Sequence, residues 1–166
     1  CNEVEVDVLT GETTILRADI IYDVGQSLNP ALDIGQVEGA FIQGVGYMLT
    51  EELVYETEGD NRGRLNTLNT WRYKIPSHNC IPLQLNVTLF PRSAANVDSD
   101  PNLLLGSKET GEPPLVLANT VYFAVKHAVL SARADQGHEK WFRMDAPLTP
   151  QQVREHCRIE IKDLNI

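Results

Sequence analysis

A run from Gly106 to Leu115 constrains this chain more than any other feature, because it sets an acid between a glycine and two prolines. The acid is Glu112, and a strongly apolar, helically spaced pattern follows the prolines. Gly111 allows the backbone to approach a ligand closely, whereas the prolines fix φ and favour the opening of a helix. The run therefore predicts that Glu112 lies at a rigid junction between a loop and a helix, where catalytic acids and bases are often held.

The residues alone also allow a purely structural explanation of Glu112. A glutamate just ahead of a helix interacts favourably with the positive end of the helix dipole. Lys108, in the same run, also has two interpretations. Its ammonium could lie beside the base and keep it ionised, or, as we favour, it could be a solvated lysine on a loop.

The first part of the chain predicts an antiparallel hairpin. Valines alternate with acidic residues from Val4 to Val8, and Thr10-Gly11-Glu12 supplies turn chemistry. A second β-rich run extends from residue 13 to residue 23. Alternation of apolar and polar residues on either side of a turn is typical of two paired strands with one buried face.

A helix is predicted from about Asp33 to Leu53. Asn29-Pro30 and then Asp33 offer helix-start signals, and apolar residues follow at helical spacing. Gln36, three residues after Asp33, could be the reciprocal partner of an Asp33 cap. The helix carries four glycines, namely Gly35, Gly39, Gly44 and Gly46. Each costs about 1 kcal/mol relative to alanine in a helix interior, so a close neighbour must explain them, either another helix or a flat cofactor.

The rest of the chain predicts a strand, two loops and two more helices. Alternation from Leu83 to Leu89 predicts a half-buried strand. Polar runs at 58–63 and 93–101 predict surface loops. After the prolines, an apolar face from residue 118 to residue 132 predicts a helix that ends before Asp135. Thr149-Pro150 with Gln152 is a capping-box arrangement that predicts a short helix through about residue 157. These elements define an α+β fold in which an antiparallel hairpin and strands pack with two main helices.

Composition limits the class of function. The chain has 14 lysines and arginines against 23 aspartates and glutamates, a net charge of −9, with no basic run to line a nucleic-acid surface. No apolar run approaches the roughly 20 residues of a membrane span, so neither nucleic acid nor a membrane is an expected partner. Three cysteines without Cys-x-x-Cys spacing and four histidines without ligand spacing predict no metal site. Reduced thiols favour a cytoplasmic protein.

Several motifs resemble the molybdenum hydroxylases, the xanthine dehydrogenase and aldehyde oxidase family. The run Ser107-Lys108-x-x-Gly111-Glu112-Pro113-Pro114-Leu115 is similar to the family signature that carries the catalytic base. The stretch from Asp23 to Gly46 is similar, nearly residue for residue, to a family segment that carries a glutamine near the molybdenum-pterin cofactor. Further matches lie at residues 2–7, 9–11, 73–76 and 142–147, so the resemblance covers almost the whole chain in order.

The resemblance implies a function and a set of site residues. Glu112 would be the catalytic base, Gln36 would bind the pterin or its phosphate end, and the backbone of Thr110 and Gly111 would border the cofactor. Glu109 occupies a variable position of the signature and is expected to face solvent. The implied reaction is hydroxylation of an aldehyde or a purine-like N-heterocycle with oxygen derived from water.

The resemblance also implies that residues 1–166 form a single segment, the C-terminal part of a molybdopterin-binding domain. The remainder of the parent polypeptide would be its partner, and the 2Fe-2S clusters and FAD would lie on segments outside this chain. A homodimeric, cytoplasmic parent is expected, with the isolated segment inactive. The alternatives are a non-catalytic relative that serves as a structural or dimerisation module, and an unrelated α+β binding domain.

Overall fold

A computed structural model describes residues 1–90 and 108–159. The predicted loop at 93–101 and the first two residues of the acid-bearing run, Gly106 and Ser107, lie outside the described residues.

A three-stranded sheet forms one layer of the fold, in the order β1-β2-β3. Strand β1 (Asn2–Val6) pairs antiparallel with β2 (Thr13–Tyr22), so the predicted hairpin is confirmed. Strand β3 (Gln84–Leu89) pairs parallel with β2, in a register that places Tyr22 opposite Leu89. Because parallel neighbours require a crossover connection, the chain between β2 and β3 must pass over the sheet, and a helix does so.

The first helix, α1 (Pro30–Leu49), begins and ends earlier than its sequence pattern predicts. Its N-cap is Asn29, whose side-chain oxygen accepts hydrogen bonds from the backbone of Ala31 and Leu32, and Pro30 occupies the first turn. Asparagine followed by proline is a stronger start than the aspartate four residues after that asparagine. The predicted Asp33 cap was therefore wrong.

Helix α1 ends at a turn that the periodic apolar pattern does not reveal. The backbone N–H groups of Thr50 and Glu51 both donate to the carbonyl of Gly46, at 2.9 and 2.8 Å. A Cβ on Gly46 would lie 2.6 Å from Cγ of Pro76, so the returning chain packs directly on this last turn. The apolar residue Leu53, which continues the helical spacing, thus lies beyond the helix.

The acid-bearing run leads into two consecutive helices, α2 (Pro113–Leu117) and α3 (Asn119–Asp135), which meet at Ala118. The predicted helix after the prolines is confirmed, with this break added. Within the described ranges, residues 113–135 form the one stretch long and apolar enough to cross a membrane by length and composition, which the sequence pattern did not indicate. Its apolar side chains divide between a face in the core and exposed residues such as Val116 and Phe123.

The core lies where α1 and α3 pack with the sheet. Phe41 and Val45 from α1 meet Val121 and Val125 from α3, all with 0% exposure. These positions recur at helical spacing, which explains why the two main helices were predictable. The structure is a small mixed α+β domain, as the sequence predicts.

The last described helix, α4 (Pro150–Cys157), begins at the predicted cap, where Thr149 accepts from the backbone of Gln152. Arg133 of α3, only 4% exposed, donates to the carbonyl of His156 at 3.0 Å and stacks over the ring of Phe142. Burial, and then the Arg133 charge, lower the pKa of His156. Helix α4 is thus attached to α3 through one buried guanidinium.

Candidate cofactor-binding and catalytic site

Glu112 lies at the junction that the sequence predicts, and its backbone is held on both sides. Its N–H donates to the carbonyl of Glu109 at 2.9 Å, and its own carbonyl accepts from the N–H of Leu115 at 3.0 Å. The residue is the N-cap of α2, but its side chain makes no capping hydrogen bond, and it is exposed. A fixed backbone with an uncommitted carboxylate leaves the side chain available for chemistry.

Gln36 lies directly against the loop that carries Glu112. A Cβ built on Gly111 would stand 2.6 Å from Oε1 of Gln36, closer than real Cβ atoms come to any neighbour. Only glycine therefore leaves room for the amide at this point. The alternative interpretation of Gln36, as the partner of an Asp33 cap, is wrong because Asn29 caps the helix.

The glycines of α1 differ in their surroundings, since Gly44 and Gly46 pack against other parts of the chain and Gly35 and Gly39 do not. Gly44 packs on another helix, since a Cβ there would lie 2.2 Å from the carbonyl oxygen of Leu115 and 2.8 Å from Cβ of Ala118. Gly35 and Gly39 are exposed, and a Cβ on either would meet no described atom within 4 Å. Gly39 follows Gly35 by four residues and Gln36 by three, so it lies between them on one exposed side of the helix. This side of the helix is open, and its Gln36 reaches the loop that precedes Glu112.

A charged pair borders the same loop. Nζ of Lys108 lies 2.9 Å from Oδ2 of Asp23, the residue that follows β2. Lys108 is thus neither freely solvated nor committed to Glu112. Glu109 is exposed, as expected. Burial, followed by the nearby carboxylates of Asp23 and Glu109, raises the pKa of the Tyr22 phenol.

The structure brings together the residues that the sequence nominated. Gln36 lies against Gly111, which directly precedes Glu112, and Thr110 of the same loop is buried at 2% exposure. Sequence reasoning missed the role of Asp23, although an acid directly after a strand is a visible signal. In the described part of the chain, no group of histidine, cysteine, aspartate or glutamate side chains is placed to hold a metal ion by itself.

A family model described as a molybdopterin cofactor-binding domain matches residues 1–82, which include Gln36 and the open glycine face. Glu112 lies outside the matched residues.

Relatives extend the likeness over the whole chain. It is 47% identical over 169 residues to probable aldehyde oxidase 3 of Oryza sativa subsp. japonica, a match that covers 99% of this chain and 12% of the relative. It is 46% identical over 160 residues to xanthine dehydrogenase/oxidase of Mus musculus, covering 95% and 11%. The fold is similar to that of quinoline 2-oxidoreductase from Pseudomonas putida 86, with a TM-score of 0.69, 26% identity, and coverage of 93% of this chain and 18% of that one.

The chain belongs to the molybdenum hydroxylases, the family of the aldehyde oxidases and xanthine dehydrogenases. The resemblance seen in the sequence motifs is confirmed. The chain spans only about 12% of the length of the curated relatives that it matches. The family, whose members are oxidoreductases with a molybdopterin cofactor, is therefore assigned from this one segment.

Proposed function

We propose that this chain forms one wall of the molybdopterin site in a longer molybdenum hydroxylase, with Glu112 as the general base. The observation that carries the proposal is the meeting of Gln36 with the Gly111-Glu112 loop, two segments that are far apart in sequence. A merely structural glutamate has no need of an amide and an open glycine face beside it.

Gln36 and the backbone of Thr110 and Gly111 would hold the cofactor. The residues present fit such a group, because Gly35 and Gly39 offer open space on the face that carries Gln36, and Gly111 has no side chain to intrude. When bound, the molybdenum cofactor supplies a redox centre that accepts electrons from the substrate. The 2Fe-2S clusters and FAD that carry electrons onward would lie on other segments of the parent polypeptide.

Glu112 would take the proton from the water-derived nucleophile as that nucleophile attacks the substrate carbon. A general base must reach the proton over about 2.6 to 3.2 Å, or through one water. The two backbone hydrogen bonds of Glu112 fix where its side chain starts, and its carboxylate is not consumed as a helix cap.

The substrate would be a small molecule with an electron-poor carbon, an aldehyde or a purine-like N-heterocycle. Relatives named aldehyde oxidase and xanthine dehydrogenase match with nearly equal identity, 47% and 46%, so the chain does not favour one substrate class over the other. We place the parent protein in the cytoplasm as a homodimer. The cysteines Cys1, Cys80 and Cys157 are all free, which supports a reducing compartment.

The test compares the intact parent enzyme with its Glu112→Gln variant, an isosteric change that removes only the base. We expect turnover of aldehydes or purines to fall by about 10² to 10⁴, as is usual for loss of a general base, while molybdenum content is unchanged. Glu139→Gln, at an exposed glutamate outside the site, is the control and should keep full turnover.

Two other results would reject the proposal. Undiminished turnover in Glu112→Gln would remove Glu112 as the base. A parent protein purified with no molybdenum and no turnover, although Gln36 and Glu112 are intact, would favour the non-catalytic relative that serves as a structural module.

A further inference from the structure

The backbone before Glu112 is strained. Lys108 and Glu109 both have positive φ, 45° and 55°, the left-handed region that side-chain-bearing residues rarely adopt. Elsewhere among the described residues, Arg158 is the other non-glycine residue in this region, as the C-cap of a helix. Each such residue costs on the order of 1 to 3 kcal/mol and persists only where its surroundings hold it.

An ion pair holds the strained turn from outside. Nζ of Lys108 lies 2.9 Å from Oδ2 of Asp23. The carboxylate is itself fixed, because its Oδ1 accepts from the N–H of Gly25 at 2.8 Å. Asp23 directly follows β2, so the turn is tied to the end of the central strand.

The left-handed turn at Lys108 and Glu109 also sets the position of Glu112. The carbonyl of Glu109 accepts the N–H of Glu112 at 2.9 Å, and buried Thr110 lies between them. If the left-handed pair relaxed, this carbonyl would rotate away and Glu112 would lose one of its two backbone restraints.

We propose that Asp23 and Lys108 form a positioning pair, which holds the left-handed turn that aims Glu112 at the reacting substrate. The inference rests on the proposed function of Glu112. It assigns Lys108 to the loop geometry and not to the charge of the base.

The expected effect lies in catalysis and not in stability. The two side chains are 49% and 41% exposed in this chain, and exposed ion pairs contribute only about 0 to 1 kcal/mol to folding. By contrast, a displacement of about 1 Å at a catalytic group can cost on the order of 10² in rate. A pair that matters little to folding can therefore matter to turnover.

The variants are Lys108→Met, Asp23→Asn and the double variant, made in the intact parent enzyme. Asp23→Asn can keep the oxygen that accepts from Gly25 and replaces the charged oxygen that faces Lys108 with a neutral amide nitrogen. We expect each single variant to lower kcat about 10- to 100-fold with little change in KM. The kcat of the double variant should be no lower than that of either single variant, because both single variants remove the same ion pair. Lys108→Arg should restore most of the rate.

The matched control is Arg17→Met. Arg17 pairs with Asp19 at 2.7 Å with side-chain exposures of 51% and 39%, almost those of the positioning pair, but it lies on β2 away from the loop. Its loss should leave kcat unchanged. Equal loss of kcat in Arg17→Met and Lys108→Met would overturn the proposal, because it would show a general effect of removing surface charge.

Two further readouts separate positioning from other roles. Hydrogen exchange of the Glu112 amide should speed up in Lys108→Met, because its bond to Glu109 is weakened. The acid limb of the pH profile of kcat should stay in place, whereas it would move if the ammonium acted on the charge of the base. Unchanged exchange together with unchanged kcat would overturn the positioning pair even if Glu112→Gln is inactive. Full turnover of Glu112→Gln would instead reject the proposed function.

Discussion

A methyl group has no room at Gly111. A Cβ there would lie 2.6 Å from Oε1 of Gln36, and the next atom of that amide is 3.7 Å away. Because Oε1 is the far end of a flexible side chain, we expect Gly111→Ala to displace the Gln36 amide and leave the loop in place. The parent enzyme should then lose molybdopterin to the same extent as Gln36→Ala, measured as molybdenum and pterin per protein.

The double variant provides the control for this prediction. If Gly111→Ala acts only through Gln36, then adding it to Gln36→Ala should cause no further loss of cofactor. Normal cofactor content in Gly111→Ala would show that the amide does not contact the cofactor.

Some features of the candidate site could be predicted from the sequence, and others could not. The position of Glu112 at a junction followed from the glycine and prolines around it, because these residues restrict the backbone locally. The partner of Lys108 did not follow, because Asp23 lies 85 positions away and only the folded chain brings them together. The junction at Glu112 could be predicted from its local residues, Gln36 was named only through the family resemblance, and the contact between Asp23 and Lys108 was not predicted.

Helix α1 presents glycines on two faces with opposite demands. A Cβ on Gly44 would collide with backbone, 2.2 Å from the carbonyl oxygen of Leu115, whereas Gly39 faces open space. We expect Gly44→Ala to destabilise the parent enzyme by about 1 to 3 kcal/mol, the usual cost of overpacking, with a lower thermal midpoint.

Gly39→Ala should behave differently. Its gain in helix propensity is up to about 1 kcal/mol and meets no clash within this chain, so the thermal midpoint should not fall. If the open face receives the cofactor, its molybdenum content should fall instead. A Gly39→Ala enzyme with both properties unchanged would show that the cofactor does not lie on this face.

The helix bounds show where sequence patterns are weak. The existence of α1, α3 and α4 followed from apolar spacing and capping residues, which are local signals. The end of α1 did not, because it depends on the packing of Pro76 against Gly46. The parallel pairing of β3 with β2 was also not predicted, since strand direction depends on where the intervening helix crosses the sheet.

The molecule as a whole exposes more large apolar side chains than an independent domain needs. Tyr47, Leu53, Leu68, Trp71 and Ile75 are between 59% and 82% exposed, and all lie on or after the last turns of α1. Exposed apolar surface on this scale is typical of an interface. The remainder of the parent polypeptide is the expected occupant, because the chain spans about 12% of its curated relatives.

The isolated chain should therefore self-associate. We expect its hydrodynamic size to grow with concentration in light scattering and an apolar dye to bind, neither of which the intact parent should show as strongly. The double variant Leu68→Glu, Trp71→Glu should reduce both effects, since it places charge on the exposed segment. A monodisperse monomer that binds no dye would contradict the assignment of this surface to a partner.

The contact at Gly44 shows one way in which related chains could lose activity. Because the backbone of α2 packs directly on α1 at Gly44, a residue with no chemical role sets the spacing between the helix that carries Gln36 and the helix that begins after Glu112. A descendant could keep every signature residue and still lose its activity by acquiring a larger side chain at Gly44. A change at Gly44 would then identify an inactive copy that still carries Glu112 and Gln36.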